Sequence, residues 1–372
     1  MTQARDFVIA CYTFGAGGAG RQIEIARHET DVGTWTLLTQ YDDNRTIAES
    51  GLMEDPQSPS YLAWHPDGRH LYAAGEVPEG RVWALEYHEK THRLGVLGSS
   101  PSEGAHPCHL AVDPSGTVLV TANYTSGTLA VHPIRPNGSL GAPSDVVQHG
   151  GSGPHPERQQ GAHAHMVHFV NETLLLAVDL GMDAIAAYTL DLAVGRLYPA
   201  AAPISRMPAG FGPRHLVRLP NDLVAVVGEL TGEIALARLN STTGELIVLD
   251  VTAGTETEEP PSWPSGIGRT TDGRCVVMAN RGPNTVASFR VLPGSGDTAP
   301  RLELVDEIDC GGDIPRDLAV VGESIYVANQ ESGSVTVLMI DPDDGELTAT
   351  TSRFEVASPT QVLPVPTASV MH

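Results

Sequence analysis

The chain has 372 residues, 41% of them apolar, which is enough for a sizeable core, and its 39 glycines and 28 prolines point to many turns and few long helices. A formal net charge of −23, with Lys90 the only lysine, argues against nucleic acid and anionic membranes as partners, and no apolar run approaches the roughly eighteen residues that a membrane span needs. Four cysteines, Cys11, Cys108, Cys275 and Cys310, stand far apart with no CxxC pair, which excludes a disulfide framework and a cysteine zinc site and predicts reduced thiols. In chain order, DFVIACYTFGAGGAGRQIEIARHE from Asp6 predicts a first set of strands. Its short apolar stretch has no small-residue cleavage pattern after it, so a cytoplasmic protein is expected. Six similar segments follow: SPSYLAWHPDGRHLYAAGE (58–76), HPCHLAVDPSGTVLVTANY (106–124), GAHAHMVHFVNETLLLAVDL (161–180), GPRHLVRLPNDLVAVVGEL (212–230), WPSGIGRTTDGRCVVMANR (263–281) and IPRDLAVVGESIYVANQ (314–330). Each reads as an alternating strand, a tight turn and a second apolar strand. A third strand follows most of them, as in GTLAVHPI or GEIALARL, and then a further turn such as STTGEL or DPDDGEL.

The second strand of each segment closes on a polar residue: Glu76, Asn123, Asp179, Glu229, Asn280 or Asn329. A period of about fifty residues, with four short strands per unit, marks a β-propeller. With the N-terminal strands as one more unit, seven units account for nearly the whole chain. The expectation is therefore an all-β, seven-bladed β-propeller of four-stranded antiparallel blades, a single domain over residues 1–372. The tail PTQVLPVP is expected on the first or last blade, closing the ring. A pair of β-sandwiches, the alternative, does not repeat at this period. In a propeller the inner strands line a central channel, so polar residues at their ends should converge from different blades.

Three histidines fall within GAHAHMVHF. Period two puts His163 and His165 on one face of the strand and His168 on the other. Two imidazoles on alternate positions can share a metal ion, but one strand supplies only two ligands and no carboxylate motif is near, so no metal is expected. A histidine that merely hydrogen-bonds at a strand start is the plainer alternative, most of all for His168. In the next segment GPRH supplies Arg214 and His215, Glu229 ends its second strand, and Arg281 ends the second strand of the segment after that. Each has an ordinary reading: Arg281 as an ion pair with Glu229, Arg214 as a loop brace. Two arginines at one channel mouth of so acidic a chain point instead to an anion, since guanidinium forks match carboxylate or phosphate oxygens.

These motifs resemble the lactonase family of seven-bladed propellers, which includes bacterial 6-phosphogluconolactonases and fungal carboxymuconate-lactonizing enzymes. The resemblance covers nearly the full length and is carried by HPCHLAVDPSGTVLVTANYTSGTLAV, GSGPHPERQQGAHAH, GPRHL, the glutamate of VVGEL, NRG and IPRDLAV. It implies an active site of a histidine, two arginines and a glutamate, which fall on His165, Arg214, Glu229 and Arg281. His165 is the better match of the two histidines, as it stands four residues before Phe169. The same motifs contain His109, Arg158, His163 and Arg316, expected to contact substrate. Two positions depart from the family: Gly266, in Ser265–Gly266–Ile267, replaces an acidic residue, and Gly228 stands where asparagine is usual.

The resemblance implies hydrolysis of a small anionic sugar lactone, 6-phosphogluconolactone first, with no cofactor, by a monomer or small homo-oligomer. Either Glu229 or His165 could activate the water, and either arginine could face the oxyanion. No GxSxG is present, and Cys108 has no obvious activating framework, so direct water attack is simpler than a covalent route. Two other classes compete. A cycloisomerase would use the same four residues on a muconolactone. A scaffold would bind proteins and have no need of the quartet.

Overall fold

The structure, a computed structural model, describes residues 4–13, 17–40, 56–257, 259–296 and 298–367. Among them are 28 strands, numbered β1 to β28 in chain order, and they form seven four-stranded sheets. The innermost strands are β4 (Pro59–Trp64), β8 (Pro107–Val112), β12 (Ala164–Phe169), β16 (Pro213–Arg218), β20 (Trp263–Arg269), β24 (Pro315–Val321) and β28 (Pro359–Pro364). Six sheets are simple meanders leading outward from β4, β8, β12, β16, β20 or β24. The seventh combines both ends of the chain: β28 pairs antiparallel with β1 (Ala4–Cys11), from Phe7↔Pro364 to Cys11↔Pro359. This is the closure expected of the PTQVLPVP tail, and the architecture is the expected seven-bladed propeller.

The sequence folds this way because each sheet lies between two others. The second strands β5 (His70–Gly75), β9 (Val118–Asn123), β13 (Leu174–Asp179) and β17 (Leu223–Gly228) are buried along their whole length. They read as continuous apolar runs, such as LLLAV, because both faces need partners. An apolar cluster fills each gap between neighbouring sheets, for example Leu176, Val178, Phe211 and Val226 between the sheets that start at β12 and β16. The outermost strands are more exposed, as β27 (Leu347–Glu355) is, since their outer edge meets water.

Two backbone details position the site. First, pairing slips by one residue or more near the start of every innermost strand. Ser60, Cys108, His165, Arg214, Ser265, Arg316 and Thr360 fall within these bulges, and a bulge re-aims the side chain it carries. Second, the register corrects the repeat read from the sequence. Gly75, Asn123, Asp179, Gly228, Asn280 and Asn329 are equivalent, each paired at the start of the inner strand. Glu76 and Glu229 therefore lie one residue beyond the position of the asparagines, level with Tyr124 and Arg281.

The asparagines and Asp179 do not converge on the channel as expected; they lock loops. Asn123 Nδ2 donates to Ser102 O and Thr128 Oγ1 at 2.8 and 3.0 Å, and Asn280 Nδ2 to Gly254 O at 2.8 Å. Asp179 accepts from His163 N, Met182 N and His149 Nδ1 at 2.8, 3.0 and 2.7 Å. Gly228 has a reason of its own. A Cβ there would lie 2.6 Å from the ring of Phe211, which occupies the space an asparagine would need.

Candidate active site

The bulge in β12 carries His165, the bulge in β16 carries Arg214, Glu229 follows β17, and Arg281 ends β21 (Cys275–Arg281). Three consecutive blades thus bring the four residues together at the mouth where the inner strands begin. Glu229 is the hub and is only 3% exposed. Its Oε2 lies 3.0 Å from Arg214 Nε and 2.9 Å from Arg281 Nη2, while Oε1 accepts from Arg158 Nη2 at 2.6 Å. Burial alone would raise the pKa of this carboxyl. Arg281, Arg214 and Arg158 outweigh it and hold the group well below the usual carboxylate range.

The arginines are fixed from behind as well. Arg214 Nη1 donates to Ser265 O at 2.8 Å, and Arg281 Nε donates to Trp263 O at 3.0 Å. Arg158 donates to Tyr124 Oη at 3.0 Å from Nη2. Burial lowers the pKa of Arg281 to about 10, with Glu229 opposing, so it stays a cation at neutral pH. Arg214 lines a cavity together with His165.

His165 is buried, and burial together with the positive charge of Arg214 holds its pKa well below 6.5. The ring is therefore a neutral imidazole at neutral pH. It meets the rings of His215 and Tyr124 edge-on, with centroids 5.3 and 5.5 Å away. Cys108 Sγ is 3.9 Å from its Nδ1 and donates to its carbonyl oxygen at 3.5 Å. Burial pushes this thiol far up, so Cys108 is no thiolate nucleophile.

The four residues expected at substrate divide. Arg158 joins the quartet through Glu229. Arg316 stands on another wall, where Nη2 donates to Tyr12 Oη and lies 3.7 Å from Glu76 Oε2. His163 turns to structure: its Nδ1 bonds Tyr124 O at 3.0 Å and its ring stacks on Tyr124 at 4.6 Å. His109 lies deeper, stacked on Tyr61 at 4.0 Å and outside the set that lines the cavity.

Sequence reasoning missed Glu76 as a site residue, along with Tyr12 and Asp317. Glu76 was signalled by the Gly–Glu pair that it shares with Glu229, in AAGE and VVGE. Asp317 bears on the acidic residue missing at Gly266. A Cβ on Gly266 would sit 2.7 Å from Leu318 N and 2.8 Å from Asp317 Cα, so no side chain fits there. Asp317 supplies a carboxyl from the neighbouring blade. Burial raises its pKa to about 7, against the pull of Arg214, a backbone bond from Leu318 and Arg316.

Among the described residues one group of three donors is close enough to hold a metal ion: His65, Asp67 and His70, in the turn after β4. Those donors are already committed. His65 Nε2 donates to Gly116 O at 2.9 Å and its Nδ1 accepts from Asp67 N at 3.1 Å; Asp67 accepts from Arg69 N and from His70 Nδ1 at 2.8 and 2.7 Å. They close the Pro–Asp–Gly turn. Dialysis against a chelator is expected to leave turnover unchanged. Activity lost to chelator and restored by zinc or magnesium would refute that expectation.

Known proteins share this sequence pattern and fold. The family described as "Lactonase, 7-bladed beta-propeller" matches residues 9–364. The 6-phosphogluconolactonase of Bacillus subtilis (strain 168) is 32% identical over 323 residues, covering 85% of this chain and 90% of that protein. A periplasmic gluconolactonase of Pseudomonas aeruginosa superposes with a TM-score of 0.86 at 26% identity, covering 98% of this chain and 99% of that one. A putative 6-phosphogluconolactonase of Bacteroides fragilis gives 0.85 at 26%, covering 98% of each chain. On its sequence, its seven blades and its relatives, the chain belongs to the family of seven-bladed β-propeller lactonases.

Proposed function

We propose that the protein hydrolyses an anionic sugar lactone, with 6-phosphogluconolactone as the preferred substrate. The observation that carries this reading is one glutamate holding three arginines beside a neutral, buried imidazole. Of the two candidate bases, His165 suits the role. Glu229 has both oxygens on guanidinium groups and very little basicity left, so it positions the arginines. The His165 ring takes a proton from water as the water oxygen bonds to the lactone carbonyl carbon. The bond from that carbon to the ring oxygen then breaks, and the imidazolium returns the proton to the departing alkoxide. The four buried, unpaired cysteines support a reducing, cytoplasmic setting.

Burial separates the roles of the arginines. The Arg214 side chain is 5% exposed and shares the cavity with His165, so it faces the developing oxyanion. The Arg158 side chain is 38% exposed, at the rim, where a phosphate can stay partly hydrated. Arg214→Ala should lower turnover by on the order of a hundredfold. Arg158→Ala should instead raise the KM for 6-phosphogluconolactone by about tenfold while leaving that for unphosphorylated gluconolactone nearly unchanged. Steady-state kinetics on both lactones test this, with a muconolactone as control. Preference for the muconolactone, or equal losses on both sugar lactones in Arg158→Ala, would refute the assignment.

A further inference from the structure

Glu76 follows β5 as Glu229 follows β17, and their backbone N–H groups donate to equivalent carbonyls, Ser58 O and Gly212 O, at 3.0 and 2.9 Å. The propeller repeat therefore places two carboxylates at one height of the channel wall. Their surroundings differ. Both oxygens of Glu229 meet arginines, whereas Glu76 is held on one side only. Its Oε2 accepts from Tyr12 Oη at 2.7 Å and has Arg316 Nη2 at 3.7 Å. Arg316 also lies over the Tyr12 ring, 4.8 Å from its centroid, so the three residues brace one another. Glu76 Oε1 receives no donor among the described residues.

Two further residues of the same cavity wall have hydrogen-bonding capacity that the described residues leave unmet. Ser60 Oγ and His215 Nε2 are buried, in residues 5% and 6% exposed, and neither has a partner among the described residues. Buried polar atoms are normally satisfied, so these call for a ligand group. An open carboxylate oxygen needs a donor, and a second anion placed against it is repelled. A hydroxyl group both donates and accepts, so substrate hydroxyls suit Glu76 Oε1, Ser60 Oγ and His215 Nε2, which line one cavity. A bare hydrocarbon ring would leave all three unmet.

The geometry points to a polyol-binding half of the site, made by Glu76 with Tyr12, Arg316, Ser60 and His215, which selects a polyhydroxylated lactone over a dicarboxylate or unsubstituted one. This assignment rests on the lactone-hydrolase reading and makes Glu76 its specificity-determining residue. The arginine side of the site takes the charged groups of the substrate, and the Glu76 side takes the hydroxyls.

The test compares δ-gluconolactone with δ-valerolactone, the same ring without hydroxyls, in the wild type, Glu76→Ala and Tyr12→Phe. Ring opening is followed by proton release. The wild type is expected to prefer the hydroxylated lactone in kcat/KM, and Glu76→Ala to narrow that preference by about tenfold or more. A ratio of two substrates on one preparation does not depend on the folded fraction, so partial unfolding does not imitate this result. Tyr12→Phe removes the hydroxyl that orients Glu76 and should narrow the ratio in the same direction. It also decides the matter should Glu76→Ala fail to accumulate. A wild type indifferent to the hydroxyls, or a ratio unmoved in the variants, overturns the assignment. A wild type inactive on both lactones and on 6-phosphogluconolactone refutes the lactonase reading itself, which is a separate result.

Discussion

Glu229→Gln is expected to lose stability and turnover together, with a stability loss that depends on pH. Wild-type Glu229 is a carboxylate 3% exposed among three guanidinium groups at 2.6, 2.9 and 3.0 Å. Glutamine keeps the size but leaves the cations Arg158, Arg214 and Arg281 facing one another without their counter-charge. Breaking a buried ion pair in this way costs about 3–5 kcal/mol. The Arg158 share is screened by water, which favours the lower end. The folded carboxyl is held well below its unfolded pKa, so its contribution is fully present above that unfolded value, about 4.3, and is lost as pH falls toward the folded one. The melting gap between wild type and Glu229→Gln should therefore be full near neutrality and should narrow progressively as pH falls below about 4. Turnover should drop on the order of a hundredfold as the arginines lose their alignment. A variant that melts and turns over like the wild type would show that the arginines do not depend on Glu229. The ordinary reading of Glu229, as an ion-pair partner, and the catalytic one are thus not rivals: the same ion pairs hold the arginines in place for the chemistry.

The repeat was legible because turn chemistry is local. Pro66–Asp67–Gly68 and Pro114–Ser115–Gly116 each turn between an alternating strand and a fully apolar one, and only a sheet packed on both faces needs the second kind. The meeting of His165, Arg214, Glu229 and Arg281 at one mouth was legible from family motifs, each of which sits at a strand end. What stayed hidden was register. Asn123 and Glu76 both look like the polar close of an apolar strand, yet Asn123 pairs with Pro107 as Gly75 pairs with Pro59, which leaves Glu76 one residue higher. That one residue separates a loop lock from a channel wall. Partners across the ring were hidden too. Arg316 and Tyr12 are 304 residues apart and meet only because β28 closes the circle on β1. Gly266 read as a lost carboxylate, because no pattern in one strand shows that Asp317 presses on it from the next blade.

His165→Gln should be the more severe loss in activity, with little change in fold. Burial and Arg214 keep the imidazole neutral, so one ring nitrogen carries a lone pair for the water proton. Glutamine fills much of the same space between His215 and Tyr124 but cannot take up a proton. Turnover should fall by roughly 10²–10⁴-fold, the range for loss of a general base, with KM little changed. In the wild type, kcat/KM should rise with pH through a value below 6.5 and then stay level across neutrality. The variant should lack that acid limb. Stability gives an independent check with a definite sign. The folded pKa of His165 lies below the unfolded one, so between the two the unfolded chain binds more protons, and the fold weakens as pH falls below about 6.5. Removing the histidine removes that penalty, so the melting temperature of His165→Gln should fall less than that of the wild type between about pH 7 and pH 5. Undiminished turnover in His165→Gln would move the base elsewhere. A melting curve with wild-type acid sensitivity would show that the imidazole is not held neutral by burial.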